Sequence, residues 1–168
     1  MRLAAESHRL IETFLRERFH QETLELPVIF IYRGRVARSV TGAFRIGAIT
    51  LGRHILVAPK LVESDEGGNL GIPGWLLAHE ATHVWQYESA GFLGFLISYL
   101  KGYWRALRAQ PRWGREARLA AYLAIEEEAE ARESEVAYAL WVAKERAPET
   151  RGAKADLTGP ADERGQPV

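Results

Sequence analysis

A chain of 168 residues is long enough for one domain with a sizeable core and too short for two comfortable ones. Its 22 Lys plus Arg balance 22 Asp plus Glu, and this formal net charge of zero offers no basic excess to point to a nucleic-acid or anionic-membrane partner. The absence of cysteine removes disulfide frameworks, thiolate zinc sites and cysteine nucleophiles together.

The first twenty residues, MRLAAESHRLIETFLRERFH, carry a charge every few positions and lack the apolar core of a secretory signal, which predicts a cytoplasmic protein. Leu10, Ile11, Phe14, Leu15 and Phe19 recur at three-and-four spacing, so residues 4–20 read as an amphipathic helix. After Pro27 the pattern changes. VIFIY (28–32) is β-branched and aromatic, and AFRIGAITLG (43–52) and HILVAPK (54–60) read as two further short strands. A small antiparallel sheet of about three strands is the simplest assembly. SDEGGNLG (64–71) is a loop by composition, and IPG at 72–74 leads into a helix bearing LLAHEATHVWQY (76–87).

The most apolar run, AGFLGFLISY (90–99), has about half the length a membrane-spanning helix needs, so no integral membrane segment is predicted. The helical pattern over 92–107 is expected to pack as a core helix, with an exposed partner surface over 90–104 as the alternative. Beyond a break at Gln110-Pro111, an alanine- and glutamate-rich stretch from about 114 to 146 has no glycine or proline between Arg115 and Ala147 and reads as one long helix. From Pro148 the chain is polar and almost without large apolar residues. Residues 148–168 are therefore expected to form a disordered tail after a single domain at 1–147.

Two of the five histidines, His79 and His83, stand four apart, which places them on one helical face where both can bind one metal ion. Glu80 lies beside that face, positioned to reach a metal-activated water without ligating the metal, as a general base must. The surrounding Leu76, Leu77, Ala78, Val84 and Trp85 make the helix largely buried, and buried imidazoles need partners. The plainer alternative is a pair of core histidines hydrogen-bonded to Glu80, Gln86 or backbone.

A catalytic zinc needs a third protein ligand. No histidine follows His83, and Gln86 and Ser89 stand where a metzincin would need glycine and histidine. The glutamates of AIEEEAEARE (124–133) remain, although such a run is most often a solvated face. Ala117, Ala121, Ala124 and Ala131 form a stripe of small side chains that admits a close neighbour, and Glu128 falls on it, which makes Glu128 the preferred ligand over Glu126, Glu127 and Glu130. His8, His20 and His54 are left outside the site.

LLAHEATHVWQY resembles the start of the gluzincin-type catalytic helix, and especially that of small bacterial minigluzincin-like domains, including the peptidase-like domain associated with contractile injection systems. The shared positions are Leu76, Leu77, His79, Glu80, His83, Val84 and Gln86, preceded by a glycine-containing meander similar to VTGAFRIGAITLGRHILVAP. The resemblance extends from about Val28 to Glu135. Its second element matches Tyr122, Ile125, Glu128, Glu130 and Ala131 and implies Glu128 as zinc ligand. A usual proline is replaced by Glu126, and a rival register would make Glu126 the ligand.

The resemblance implies an α+β, zincin-like fold and a zinc-dependent metallopeptidase holding one zinc per chain on His79, His83 and Glu128. Glu80 would be general base toward a peptide or protein substrate. Glu130 or Glu135 could orient an imidazole. Tyr99, Tyr103, Tyr122 and Tyr138 are candidate oxyanion donors. A strand flanking the site, 43–51 or 54–58, could pair with an extended peptide. The alternative function is a zinc-containing, non-catalytic interaction module that uses the apolar stretch against a protein partner.

Overall fold

The computed structural model describes residues 1–44, 46–64 and 70–152. Helix α1 (Ala5–Phe19) follows the expected periodicity, turning Ile11, Phe14 and Leu15 inward. It ends at His20, which takes up the left-handed conformation at φ 52° and returns its N–H to Arg16 and Glu17. Strand β1 (Phe30–Tyr32) comes next, then helix α2 (Arg35–Phe44), strands β2 (Ala48–Leu51) and β3 (His54–Val57), a 3-10 turn at Pro59–Leu61, and a two-stranded ladder of β4 (Glu63–Ser64) and β5 (Leu70–Gly71). Helices α3 (Gly74–Ala90), α4 (Phe92–Arg108), α5 (Arg115–Leu123) and α6 (Glu126–Gly152) complete an α+β fold.

The three-stranded sheet has the order β1-β3-β2 and is mixed rather than wholly antiparallel. The cause is α2, which stands where the sequence suggested a turn and the start of a strand. It separates β1 from β2, which run in opposite directions, and β3 then enters between them, antiparallel to β2 and therefore parallel to β1. The β2–β3 hairpin closes through Gly52 and Arg53, with Gly52 at φ 58°. The backbone of Met1 to Leu3 lies along the outer side of β1 through Leu3 N–H to Ile29 O (2.9 Å) and Ile31 N–H to Met1 O (2.7 Å). No strand covers the outer side of β2 among the described residues.

Helix α3 is the centre of the molecule. Every residue from Leu76 to Val84 is buried, against Ile29, Ile31, Ile55 and Val57 from the sheet region, against α1, and against α6. Its first turn passes so close to α6 that a Cβ on Gly74 would meet Tyr138 Cε1 at 2.6 Å.

The expected long helix over 114–146 is two helices. The N–H groups of Ala124 and Ile125 bond back to Ala120 and Tyr122, the chain turns, and Ile125 is wholly buried at the joint. Tertiary burial of Ile125 thus overrides good local helix propensity. Restarting at Glu126 also places three carboxylates in the first turn of α6, where the helix dipole favours them. Helix α6 runs five residues past the expected domain end, through Pro148 to Gly152; the remainder of the expected tail, 153–168, lies outside the described residues.

Helix α4 is not the core helix its composition suggested. Phe95 and Leu107 are buried, whereas Phe92, Leu93, Ile97, Leu100 and Trp104 are 46–69% exposed. It pairs with α5 around a small separate cluster of Leu107, Ala117 and Ala121, packed by Tyr103 and Ala106. No helix among the described residues is long and apolar enough to cross a membrane.

Candidate metal centre

Helix α3 brings His79 and His83 to the face that meets α6, with ring centroids 4.9 Å apart. Glu128, in the first turn of α6, points into the same space and is buried. The candidate donor atoms of the three side chains lie within 4.8 Å of one another, so this group could hold a metal ion. His79 Nε2 lies 3.7 Å from Glu128 Oε2, and His83 Nε2 lies 3.6 Å from Glu128 Oε1.

The hydrogen bonds around the group decide what it suits. His83 Nδ1 is 2.8 Å from Gln86 Oε1, while Gln86 Nε2 donates to Glu130 Oε2 at 2.8 Å and to the Glu127 carbonyl at 3.1 Å. With its NH2 group committed to two acceptors, Gln86 can only accept from His83, so the imidazole proton sits on Nδ1 and Nε2 carries a lone pair. His79 Nδ1 likewise faces Glu135 Oε1 at 2.7 Å, although the approach is off the line of a ring N–H. His83 Nε2 therefore presents a lone pair toward a carboxylate oxygen beyond hydrogen-bond reach, and His79 Nε2 also lies beyond hydrogen-bond reach of Glu128.

Converging acceptors with no proton between them fit a cation. A tetrahedron with bonds of about 2.0–2.1 Å has neighbouring donor atoms about 3.3–3.4 Å apart, a few tenths of an ångström less than the two distances from the imidazoles to Glu128. Two neutral imidazoles and one carboxylate are a donor set that zinc accepts.

Glu128 is itself anchored: Tyr99 donates to Oε1 at 2.8 Å and Tyr122 to Oε2 at 2.6 Å. Burial first, and then the Glu128 carboxylate, push both phenols well above the ordinary tyrosine range, so they remain donors. His79 is shifted the other way, down to about 4, chiefly because burial disfavours the imidazolium and His83 stands beside it. The neutral state that ligation requires is thus its resting state over most of the pH range.

Glu80 is not part of the donor group. Its buried carboxylate accepts a 2.6 Å bond from Thr50 of β2, and burial raises its pKa, an effect that His83 and the Thr50 bond partly offset.

The structure brings together His79, His83 and Glu128 and separates them from the rival ligands. Glu126 is at the surface, facing Arg105 at 3.4 Å; Glu127 reaches the site only through its carbonyl, and Glu130 only through Gln86. Of the tyrosines considered as oxyanion donors, Tyr99 and Tyr122 hold Glu128, Tyr103 packs beside the α4–α5 cluster, and Tyr138 packs edge-on to Phe14 in the main core. Thr50 went unnoticed in the sequence. A lone threonine in a strand carries no local signal, and its partner is thirty residues away.

Fold and site together define an α+β domain with a buried His-His-Glu group suited to a metal ion. Residues 8–91, half of the chain, match the eCIS core domain, the core of the extracellular contractile injection system, and the chain belongs to that family. The match spans α1 to the end of α3, so it includes His79, Glu80 and His83 and stops short of Glu128. No curated protein and no solved structure matches the chain. Membership of an injection-system core family associates the domain with a protein complex.

Proposed function

We propose that the chain is a zinc-dependent metallopeptidase of the gluzincin type, acting on a peptide or protein substrate in the cytoplasm. The observation that carries this reading is Glu80: a buried carboxylate next in sequence to a ligand, fixed by Thr50 and left out of the donor group. A purely structural metal site has no use for it.

His79, His83 and Glu128 would hold one zinc ion, which supplies Lewis-acid polarisation of the scissile carbonyl and acidification of a water. Glu80 takes the proton from that water as its oxygen bonds to the carbonyl carbon. It returns the proton to the nitrogen as the C–N bond breaks, leaving a carboxylic acid and an amine, and the acid then gives up the second water proton to the amine or to solvent. The raised pKa of Glu80 suits the first half of this task, because a more basic carboxylate accepts the proton more readily. Gln86 and Glu135 keep the imidazoles in orientation, and Tyr99 and Tyr122 keep Glu128 in place. Strand β2, which no strand among the described residues pairs with on its outer side and which is joined to Glu80 through Thr50, would offer an extended substrate backbone a ladder of hydrogen bonds beside the general base.

The test compares the wild-type chain with Glu80→Gln, both loaded with zinc, on a peptide library. The expected result is equal zinc content, about one ion per chain, with cleavage by the wild type only. No cleavage by the zinc-loaded wild type, or equal cleavage by Glu80→Gln, would overturn the reading. The exposed apolar face of α4 favours a second one, a metal-containing module that binds a protein without cutting it. It predicts zinc binding with no turnover.

A further inference from the structure

The net charge of zero hides a segregation that the fold turns into a surface. From Ser89 to Arg115 the chain has no Asp or Glu, while Lys101, Arg105, Arg108, Arg112 and Arg115 fall in the same interval. On α4, Leu93, Ile97, Leu100 and Trp104 form one exposed stripe at three-and-four spacing, opposite Phe95 and Tyr99, which face the metal centre. Lys101, Arg105 and Arg108 run along one side of that stripe, and together with Ile97, Leu100 and Trp104 they line a shallow groove. Trp113, from the α4–α5 connection, brings its ring to 6.3 Å from Trp104 and is exposed. Among the described residues Arg105 pairs with Glu126 through a long, exposed contact at 3.4 Å, which costs little to break.

We infer that this face of α4, with Trp113, docks on the surface of an anionic lipid bilayer. Its chemistry is that of an interfacial helix: aliphatic and indole side chains on one face, cationic side chains flanking them, and too little apolar length to span. Indoles settle at the headgroup level, and lysine and arginine extend from an apolar face to lipid phosphates. The charged groups that line the groove are all cations, with Glu126 beside Arg105 at its edge, so the partner is one that supplies anions along the rim, as a bilayer of acidic phospholipids does. A second copy docking through the same face would bring two cationic rims together, which argues against that occupant. The helix lies parallel to the bilayer in this arrangement, with the metal centre on its protein side. Docking requires no metal, so it stands apart from the peptidase reading.

The experiment is flotation of the full chain with vesicles of phosphatidylcholine alone or mixed with phosphatidylglycerol, at low and high salt. The expected result is binding to the mixed vesicles only, released by salt. Binding should fall by roughly tenfold or more in Lys101→Gln with Arg108→Gln, and again in Leu100→Gln with Trp104→Gln, while the thermal melts stay unchanged. Failure to float with anionic vesicles at low salt would overturn the inference. So would equal binding by both double variants, or a wild-type dimer that Leu100→Gln with Trp104→Gln dissociates while no vesicle binds. Capture of an acidic amphipathic peptide through these residues in place of anionic vesicles would assign the face to a protein instead.

Discussion

Gln86 sets the tautomer of His83. Its amide oxygen lies 2.8 Å from Nδ1 and its amide nitrogen donates to Glu130 and to the Glu127 carbonyl, so the proton of the neutral ring belongs on Nδ1 and the nitrogen facing Glu128 is left with its lone pair. Replacing Gln86 by leucine removes that constraint without touching a ligand. Zinc affinity should fall by roughly 10–100-fold, read by competition against a chelating dye. An unchanged affinity would show that His83 needs no such partner.

Tyr99 and Tyr122 make charge-assisted bonds to a buried carboxylate, and each phenylalanine substitution leaves that carboxylate one donor short. The metal-free protein should lose about 1.5–3 kcal/mol per substitution, measured by denaturant unfolding. Zinc stoichiometry at saturation should be retained in both variants, whereas Glu128→Ala and His83→Ala should abolish it.

Glu80 gives a pH-dependent signature. Burial raises its pKa above 4.5 in the folded state, so the folded protein binds more protons than the unfolded chain above that pH, and stability is lost as pH rises toward the raised value. Glu80→Gln keeps an acceptor for Thr50 and has nothing to ionise. Metal-free Glu80→Gln should therefore melt progressively higher than wild type as pH climbs from about 4.5 toward the raised value. A constant difference across that range would show that the carboxylate is not shifted.

Gly74 should resist the substitution that normally favours helices. Alanine is better than glycine by about 1 kcal/mol in a helix interior and by less at the first position of α3, where Gly74 stands. Here the added methyl would come within 2.6 Å of the Tyr138 ring, and the overpacking cost of about 1–3 kcal/mol reverses the sign. The readout is the melting temperature of Gly74→Ala, with partial recovery expected in Gly74→Ala combined with Tyr138→Leu.

The site was legible where it is local. His79, Glu80 and His83 are ordered by helical periodicity alone, and α3 forms as that pattern requires. Glu128 was reached by way of an alanine stripe on a helix that is in fact interrupted. Ala117, Ala121 and Ala131 are buried as the stripe implied, yet Ala124 is exposed, and it is the turn at Ile125 that sets α6 against α3. Helix α2 escaped notice because Val36, Val40 and Thr41 carry a β-branched signal; Thr41 is accommodated by bonding its hydroxyl back to the Ala37 carbonyl at 2.7 Å. The bonds of Thr50 and Tyr99 and the contact of Glu135 with His79 join different elements that no spacing rule connects; the sequence offers Glu135 only beside Glu130, as a carboxylate able to orient an imidazole.

The interval between His83 and Glu128 contains the whole of α4, the 109–114 connection and α5. An ion shared by both ends would turn that interval into a closed ring of chain, a cross-link made by coordination where a cysteine-free protein can make none by sulfur. Metal loading would then govern how readily this α-helical arm swings away from the α3 scaffold. A protease cutting between α4 and α5 would act as a gauge of occupancy, slow on the loaded protein and fast on the stripped one.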